Sequence, residues 1–355
     1  MGLRGKIFIV LCGGLLVSLL IMGGAVYYQS LSLALDELLD TTRKRLDKDA
    51  LEIEKNISSL RQDLMVLADM PPVQGLIRAK DNGDTDALTG DKGAFWVSRL
   101  EKIFGAFLTN HPEYYKIRYI DEKGMELVRA EAEGGKVRAV RGTGLRNKDR
   151  DPYFTKGLQL RQNEVYYSEV SLEREHGRIK EPRVAVFRVA TPVFDKNKQV
   201  RGLIVINMRA RALFDNIKSG EEGILKYVVN QDGYFIHHPD ASREFGFDLG
   251  VDYAIGDAHM EMAAEMKLED DNVKYHKEKL HVDGFKKVFF SPGDKKRYWA
   301  VVYIHPVGSA LMKVYKTRNM IVFAGVVIII FSLAAGLRCA SKLNLKLQSG
   351  LRRTS

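Results

Sequence analysis

Histidine, acidic and glycine residues mark the places where this chain of 355 residues could do chemistry. His237-His238-Pro239-Asp240 has metal-ligand types, but neighbours in a strand point to opposite faces and cannot both chelate one ion without distortion. Glu173, Glu175 and His176 form a charged cluster with the composition of a solvated hairpin tip. Gly142-Thr143-Gly144 lacks the further glycine, strand and helix of a phosphate-binding loop, and no Gly-Lys-Ser or Gly-Lys-Thr occurs. Cys12 and Cys339 lie in or beside apolar runs, so the region between them has no Cys-ligated zinc site, no catalytic thiol and no disulfide. No nucleophile motif or kinase signature is present. These residues predict a non-enzyme without a metal site or cofactor.

The elements that position them are enclosed by two uncharged apolar runs, residues 7–28 and 320–337, each long enough to cross a bilayer as a helix. Two crossings place residues 29–319 on one side and both tails, 1–6 and 338–355, on the other. Lys and Arg resist translocation, and Arg4, Lys6, Arg338, Lys342, Lys346, Arg352 and Arg353 predict cytoplasmic tails. Lys313, Lys316 and Arg318 oppose this assignment, but long translocated loops obey the charge rule weakly. Ser32-Leu33-Ala34 offers a peptidase site; the first run, however, exceeds the roughly 7–15 residues of a signal core, which favours an uncleaved anchor. The net charge of +10 is spread along the chain rather than gathered in a block, which argues against nucleic acid as a partner.

Beyond the first run, residues 31, 35, 38, 42, 46, 50, 53, 57, 60, 64 and 67 are apolar apart from Thr42 and average 3.6 residues per step. The spacing predicts a stalk helix over 30–69, about 55 Å long, ended by Pro71-Pro72. A loop at Asp81-Asn82-Gly83-Asp84 precedes a second helix over 95–108 with Trp96, Leu100, Ile103, Phe104 and Phe107 as core. Strands follow at 115–120 and 125–130 around Asp121-Glu122-Lys123-Gly124, then at 183–193 and 200–208 around Asp195-Lys196-Asn197-Lys198. The order repeats at 226–229 and 234–237 around Asn230-Gln231-Asp232-Gly233, then at 287–290 and 298–304. Hairpin, excursion, hairpin twice predicts an α+β fold of two stacked antiparallel-sheet modules, the first about 110–215 and the second about 222–310.

Between a long first helix and a second membrane run stand, in order, Tyr115-Lys-Ile-Arg-Tyr-Ile-Asp-Glu-Lys-Gly124, Arg150-Asp-Pro-Tyr153, Val189-Ala-Thr-Pro-Val193, Gly202-Leu-Ile-Val-Ile-Asn207, Gly233-Tyr-Phe-Ile-His-His-Pro-Asp240 and Phe245-Gly-Phe-Asp-Leu-Gly250. This order, over about residues 30–315, resembles the extracytoplasmic double Cache, PAS-like sensor domains of bacterial histidine kinases, diguanylate cyclases and chemoreceptors. The resemblance implies a membrane-distal module holding a small molecule, a membrane-proximal module relaying the change, and a periplasmic body anchored in the bacterial inner membrane. Amino-acid-binding members use an Arg, a Trp-Tyr pair two residues on, a further Tyr, and an Asp ending the last strand. Arg150 and Tyr153 match, whereas Pro152 replaces the Trp and Asn207 stands where the Asp would be. Without that carboxylate an α-ammonium group lacks its partner, so the implied ligand is a carboxylate or other anion. Arg150, Arg183 and Arg188 would supply bidentate forks, and Tyr153, Tyr166 and Tyr167 walls and hydroxyl donors, with Asn207 at the strand end.

Two functions remain open on these grounds. One is a sensor that relays ligand binding to the second membrane helix; the other is a membrane-anchored interaction protein with a ligand-free Cache fold acting through a partner. The stalk stripe could pair with a second copy, making a homodimer. The 18 residues after the second run are too few for an output domain, so the expected reader is a cytoplasmic or membrane signalling partner or a longer protein's own output.

Overall fold

The computed structural model describes residues 3–175, 177–217 and 223–351; His176, residue 222, Arg352 and Arg353 lie outside the described residues. The 3.6-residue stripe closes onto one helix, α1 (Leu3–Ala68), which buries Leu38, Thr42, Leu46, Ala50, Ile53, Ile57, Leu60, Leu64 and Leu67. Pro71 and Pro72 interrupt it and at once begin α2 (Pro71–Asp81), because the first N–H groups of a helix have no intrahelical acceptor to lose. In α3 (Gly93–Asn110), Leu100, Phe104 and Leu108 are buried, and Trp96 lies so close to Gly75 of α2 that a Cβ there would stand 2.4 Å from the indole.

The strands of the first sheet are β1 (Tyr114–Ile120), β2 (Glu126–Glu133), β3 (Lys136–Val140), β4 (Tyr166–Tyr167), β5 (Ser171–Leu172), β8 (Ala185–Phe194) and β9 (Val200–Arg209). They run antiparallel in the order β3-β2-β1-β9-β8-β4, with β5 also on β8. A short helix, α4 (Pro152–Gly157), and a ribbon of β6 (Arg174–Glu175) and β7 (Arg178–Ile179) lie in the excursion, and α5 (Ala210–Leu213) follows β9. The second sheet, in the order β11-β10-β14-β13-β12, uses β10 (Leu225–Asn230), β11 (Phe235–His237), β12 (Asp271–His276), β13 (His281–Val288) and β14 (Trp299–Pro306). Its excursion carries α6 (Gly246–Leu249) and α7 (Met260–Glu265), and α8 (Gly308–Leu351) ends the described chain.

One turn device serves three hairpins. Oδ1 of Asp121, Asp195 and Asn230 each accepts backbone N–H groups two and four residues on, at 2.8–3.1 Å. Gly124 and Gly233 take the positive φ that this turn requires. Strand assignments need correction at three places. β13 begins at His281 rather than 287, and β12 and β3 were not expected, because each is short and offers only two or three apolar residues.

The chain divides into two units, residues 1–43 with 273–283 and 304–355, and residues 44–272 with 284–303. The first holds two helical stretches long and apolar enough to cross a membrane, within Gly13–Ala68 and Val314–Gly336. In that unit Leu38, Val282 and Val307 are buried together, with Leu35, Leu39, Val273, Tyr275 and Leu311 against them. The second unit contains the first sheet and an aromatic cluster of Phe187, Phe214, Phe290 and Trp299.

Candidate functional site

Strand alternation puts Lys116 and Arg118 of β1 on one face of the first sheet, and register places Lys116 and Arg188 on either side of Asn207. Three cations on one sheet face would repel unless acids cover them. The excursion between β3 and β8 supplies that cover. Helix α4 seats Tyr153 and Phe154 against Ile120, Ala190, Leu203 and Val205, and the segment over 166–174 folds across the other end. Between them lies a cavity of about 410 Å³, a volume suited to a small molecule.

Glu173 lies at its base, 4% exposed, accepting from Lys116 Nζ at 2.8 Å and from Arg188 Nη2 at 2.6 Å. Burial pushes its carboxyl up, but Arg188, Arg118 and Lys116 outweigh burial and bring it down to about 2. At Lys116 burial prevails over the same pairing, and its pKa is lowered. Arg118 Nη1 donates to the Tyr153 hydroxyl at 2.9 Å, and Nε lies 3.3 Å from Glu126. Burial would discharge Arg118, but Tyr153, Glu126, Glu173 and Asp151 overcome it and hold the guanidinium charged. Tyr153 in turn donates to Asp151 at 3.1 Å; burial raises its pKa, so it remains a neutral phenol.

The acids of the cavity are already engaged. Glu173 holds Lys116 and Arg188, Asp151 has Lys148 at 3.2 Å, and Glu169 has Arg297 at 2.7 Å. Among the described residues, Nη2 of Arg118 and the hydroxyl of Tyr166 have no hydrogen-bond partner, and Ser171 Oγ accepts from Arg188 Nη1 at 3.1 Å while its own proton stays available. Each of these three groups can donate.

Of the residues expected at a ligand site, Tyr153, Tyr166 and Arg188 line this cavity and the other four do not. Arg150 is exposed, three residues before Tyr153. Tyr167 points to the opposite face from Tyr166 and stacks on Phe187 at 6.2 Å. Arg183 is exposed beside Glu181. Asn207 is fully buried in the sheet, and neither polar atom of its amide has a hydrogen-bond partner. Arg118, Lys148, Asp151, Ser168, Ser171 and Glu173 line the cavity without having been expected at a ligand site. Glu173 is no solvated tip residue; the signal that would have found it is the alternate charges Lys116 and Arg118 in an otherwise apolar strand. His237 Nε2 contacts the Ile217 carbonyl at 2.7 Å and the His238 ring stacks on Tyr227, so the two rings diverge.

The covering segment is tied to the second sheet's excursion and hairpin. Asp248 accepts from Leu172 N at 2.7 Å and from Arg174 Nη2 at 3.1 Å, and Arg297 donates to Glu169 at 2.7 Å and to the Tyr167 carbonyl at 2.8 Å. Arg297→Ala is expected to lower stability by about 1.5–3 kcal/mol and to speed protease cleavage within 166–180. Urea unfolding and limited proteolysis check this; an unchanged midpoint and cleavage rate would refute the tie.

A family model described as bacterial histidine kinase, sensor domain, matches residues 96–302. Among solved structures, the extracellular domain of the histidine kinase vpHK1S-Z8 is 17% identical with a TM-score of 0.62, covering 83% of this chain and 99% of its own. A domain of a sensory box/GGDEF family protein from Vibrio parahaemolyticus is also 17% identical, with a TM-score of 0.61 and coverage of 78% and 97%. The sensory domain of the Campylobacter jejuni chemoreceptor Tlp3 (CcmL) is 10% identical, with a TM-score of 0.54 and coverage of 79% and 98%. At these identities the likeness is one of fold. No curated protein matches the chain.

Proposed function

This chain belongs to the bacterial histidine kinase sensor-domain family, a family of extracellular signal-input modules, and we propose that it senses a small carboxylate or comparable anion in the Arg118–Arg188 cavity. The observation that carries this reading is the imbalance of unused groups. Each acid in the cavity holds a cation of the protein, whereas Arg118 Nη2 and the Tyr166 hydroxyl, on two residues of the lining, are donors without a partner among the described residues. An ammonium ligand would compete with these ion pairs for the same carboxylates; an anion would not.

Binding would pull on the segment over 166–174, and its ties to Asp248 and Arg297 carry that displacement onward. Arg297 stands two residues before β14, which leads through Val307 into α8. A ligand shifts such an element only if it binds one of its two positions more tightly than the other. The body is taken as periplasmic and its anchor as the bacterial inner membrane.

Thermal unfolding of the full chain in nanodiscs, with mono- and dicarboxylates, amines and neutral sugars at millimolar concentration, tests the reading. A carboxylate is expected to raise the midpoint by several degrees in a saturable way, since a ligand at 100 times its Kd stabilises by about 2.7 kcal/mol. Tyr166→Phe should weaken that ligand roughly 10-fold or more through loss of a charge-assisted hydrogen bond. A response to amines alone, or to none of the panel, overturns the proposal.

A further inference from the structure

The hairpin of β12 and β13 gathers three metal-ligand side chains that are not part of the cavity lining. His276 ends β12, His281 begins β13, and Asp283 follows two residues on, on the same strand face as His281. One ligand atom from each lies within 4.8 Å of the others. His276 Nε2 is 2.8 Å from Asp283 Oδ1, and His281 Nε2 is 3.5 Å from Oδ2. Asp283 is 7% exposed, and Nε2 of His281 is buried without a hydrogen-bond partner. A buried ring nitrogen facing a carboxylate that also serves a second imidazole is an arrangement a cation completes.

We propose that His276, His281 and Asp283 bind a first-row transition-metal dication, for which Zn²⁺ is the probe. Two imidazoles and one carboxylate suit Zn²⁺ and its neighbours, whereas Ca²⁺ and Mg²⁺ favour oxygen ligands throughout. Bonds of about 2.0–2.2 Å around a tetrahedron set ligand atoms about 3.3 Å apart, within reach of side-chain rotation from the observed positions. Water takes the fourth position. The opposite face of the hairpin gives the site its consequence. Val282 is fully buried with Leu38 and Val307, and Val273 and Tyr275 pack there beside Leu35 and Leu39 of α1 and Leu311 of α8. An ion joining the two strands therefore stiffens the wedge set between the helices that lead to the membrane runs. This is a metal-dependent input, independent of any ligand in the cavity.

The test uses the full chain in nanodiscs after chelator treatment. Titration is expected to show one Zn²⁺ per chain, and Co²⁺ should give the visible bands of a four-coordinate site that Zn²⁺ abolishes. His281→Ala and Asp283→Asn should each weaken binding at least ~10-fold while the circular dichroism is unchanged. His276→Gln is the second variant if either misfolds, and His238→Ala should leave binding intact. Absence of stoichiometric binding, or binding that survives in His281→Ala and His276→Gln, overturns the site.

Discussion

Glu173→Ala lowers the unfolding free energy by about 3–5 kcal/mol, because it leaves Lys116 and Arg188 as buried cations without their shared carboxylate. Across most of a body this size that is a fall in midpoint of roughly 10 °C, readable by calorimetry. The same carboxylate sets an acid dependence. Its folded pKa of about 2 is below the ordinary value of 4.5, so its contribution is complete above about pH 5 and drains away as the pH falls towards 2. The sign follows from proton count: between those values the unfolded chain binds the proton that the folded chain refuses. The gap corresponds to about 3 kcal/mol. Burial disfavours the charge on Lys116, a cost already present throughout the acid range, so it leaves the window unchanged. Unfolding free energies from pH 6 to 2 should converge for wild type and Glu173→Gln at the acid end; parallel lines would show that Glu173 does not titrate as argued.

Phe187→Ala is expected to cost about 3–5 kcal/mol, with a further contribution from lost ring pairing. Phe187 is fully buried in β8 and meets Trp299 of β14 edge-on at 5.1 Å and Phe290 at 5.8 Å. Trp299 stacks on Phe290 at 4.5 Å and meets Phe214 at 5.5 Å, so one cluster joins residues of both sheets. Shared contacts make Phe187→Ala and Trp299→Ala non-additive, with an interaction term of about 0.5–3 kcal/mol in a double-mutant cycle. Phe95, which is 39% exposed, provides the contrast, since Phe95→Ala should change stability by little more than ~0.5 kcal/mol. Equal effects at Phe187 and Phe95 would deny the cluster its role.

The stalk was legible to the residue because its burial depends on spacing within one helix. Every stripe position from 38 to 67 is buried, and among the described residues α1 adds only Asp49 and Ala68 to them. The hairpins were legible from Asp121, Asp195 and Asn230, whose side chains bond their own turns. The family pattern matched Arg150 and Tyr153, and residue chemistry added Tyr166 and Arg188; of these, Tyr153, Tyr166 and Arg188 line the cavity, as does Arg118, which was not among the residues expected there. Alternating charge in β1 is the ordinary mark of a solvent face. Only the covering of that face by α4 and the segment over 166–174, more than thirty residues on, turns Arg118 and Lys116 inward.

Apolar runs at both ends, a helical stripe and turn chemistry are local properties, and residue order alone determined them: a body carried between two rods, built of a stalk and antiparallel hairpins. Which charges lose water and which partners they meet depends on distances between segments remote in the chain. Tertiary structure therefore decided that Glu173 is a buried counter-ion rather than a solvated tip residue, that Asn207 is buried in the sheet and does not line the cavity, and that His276, His281 and Asp283 converge. Desolvation and Coulomb energy act through space, and no spacing along the sequence encodes them.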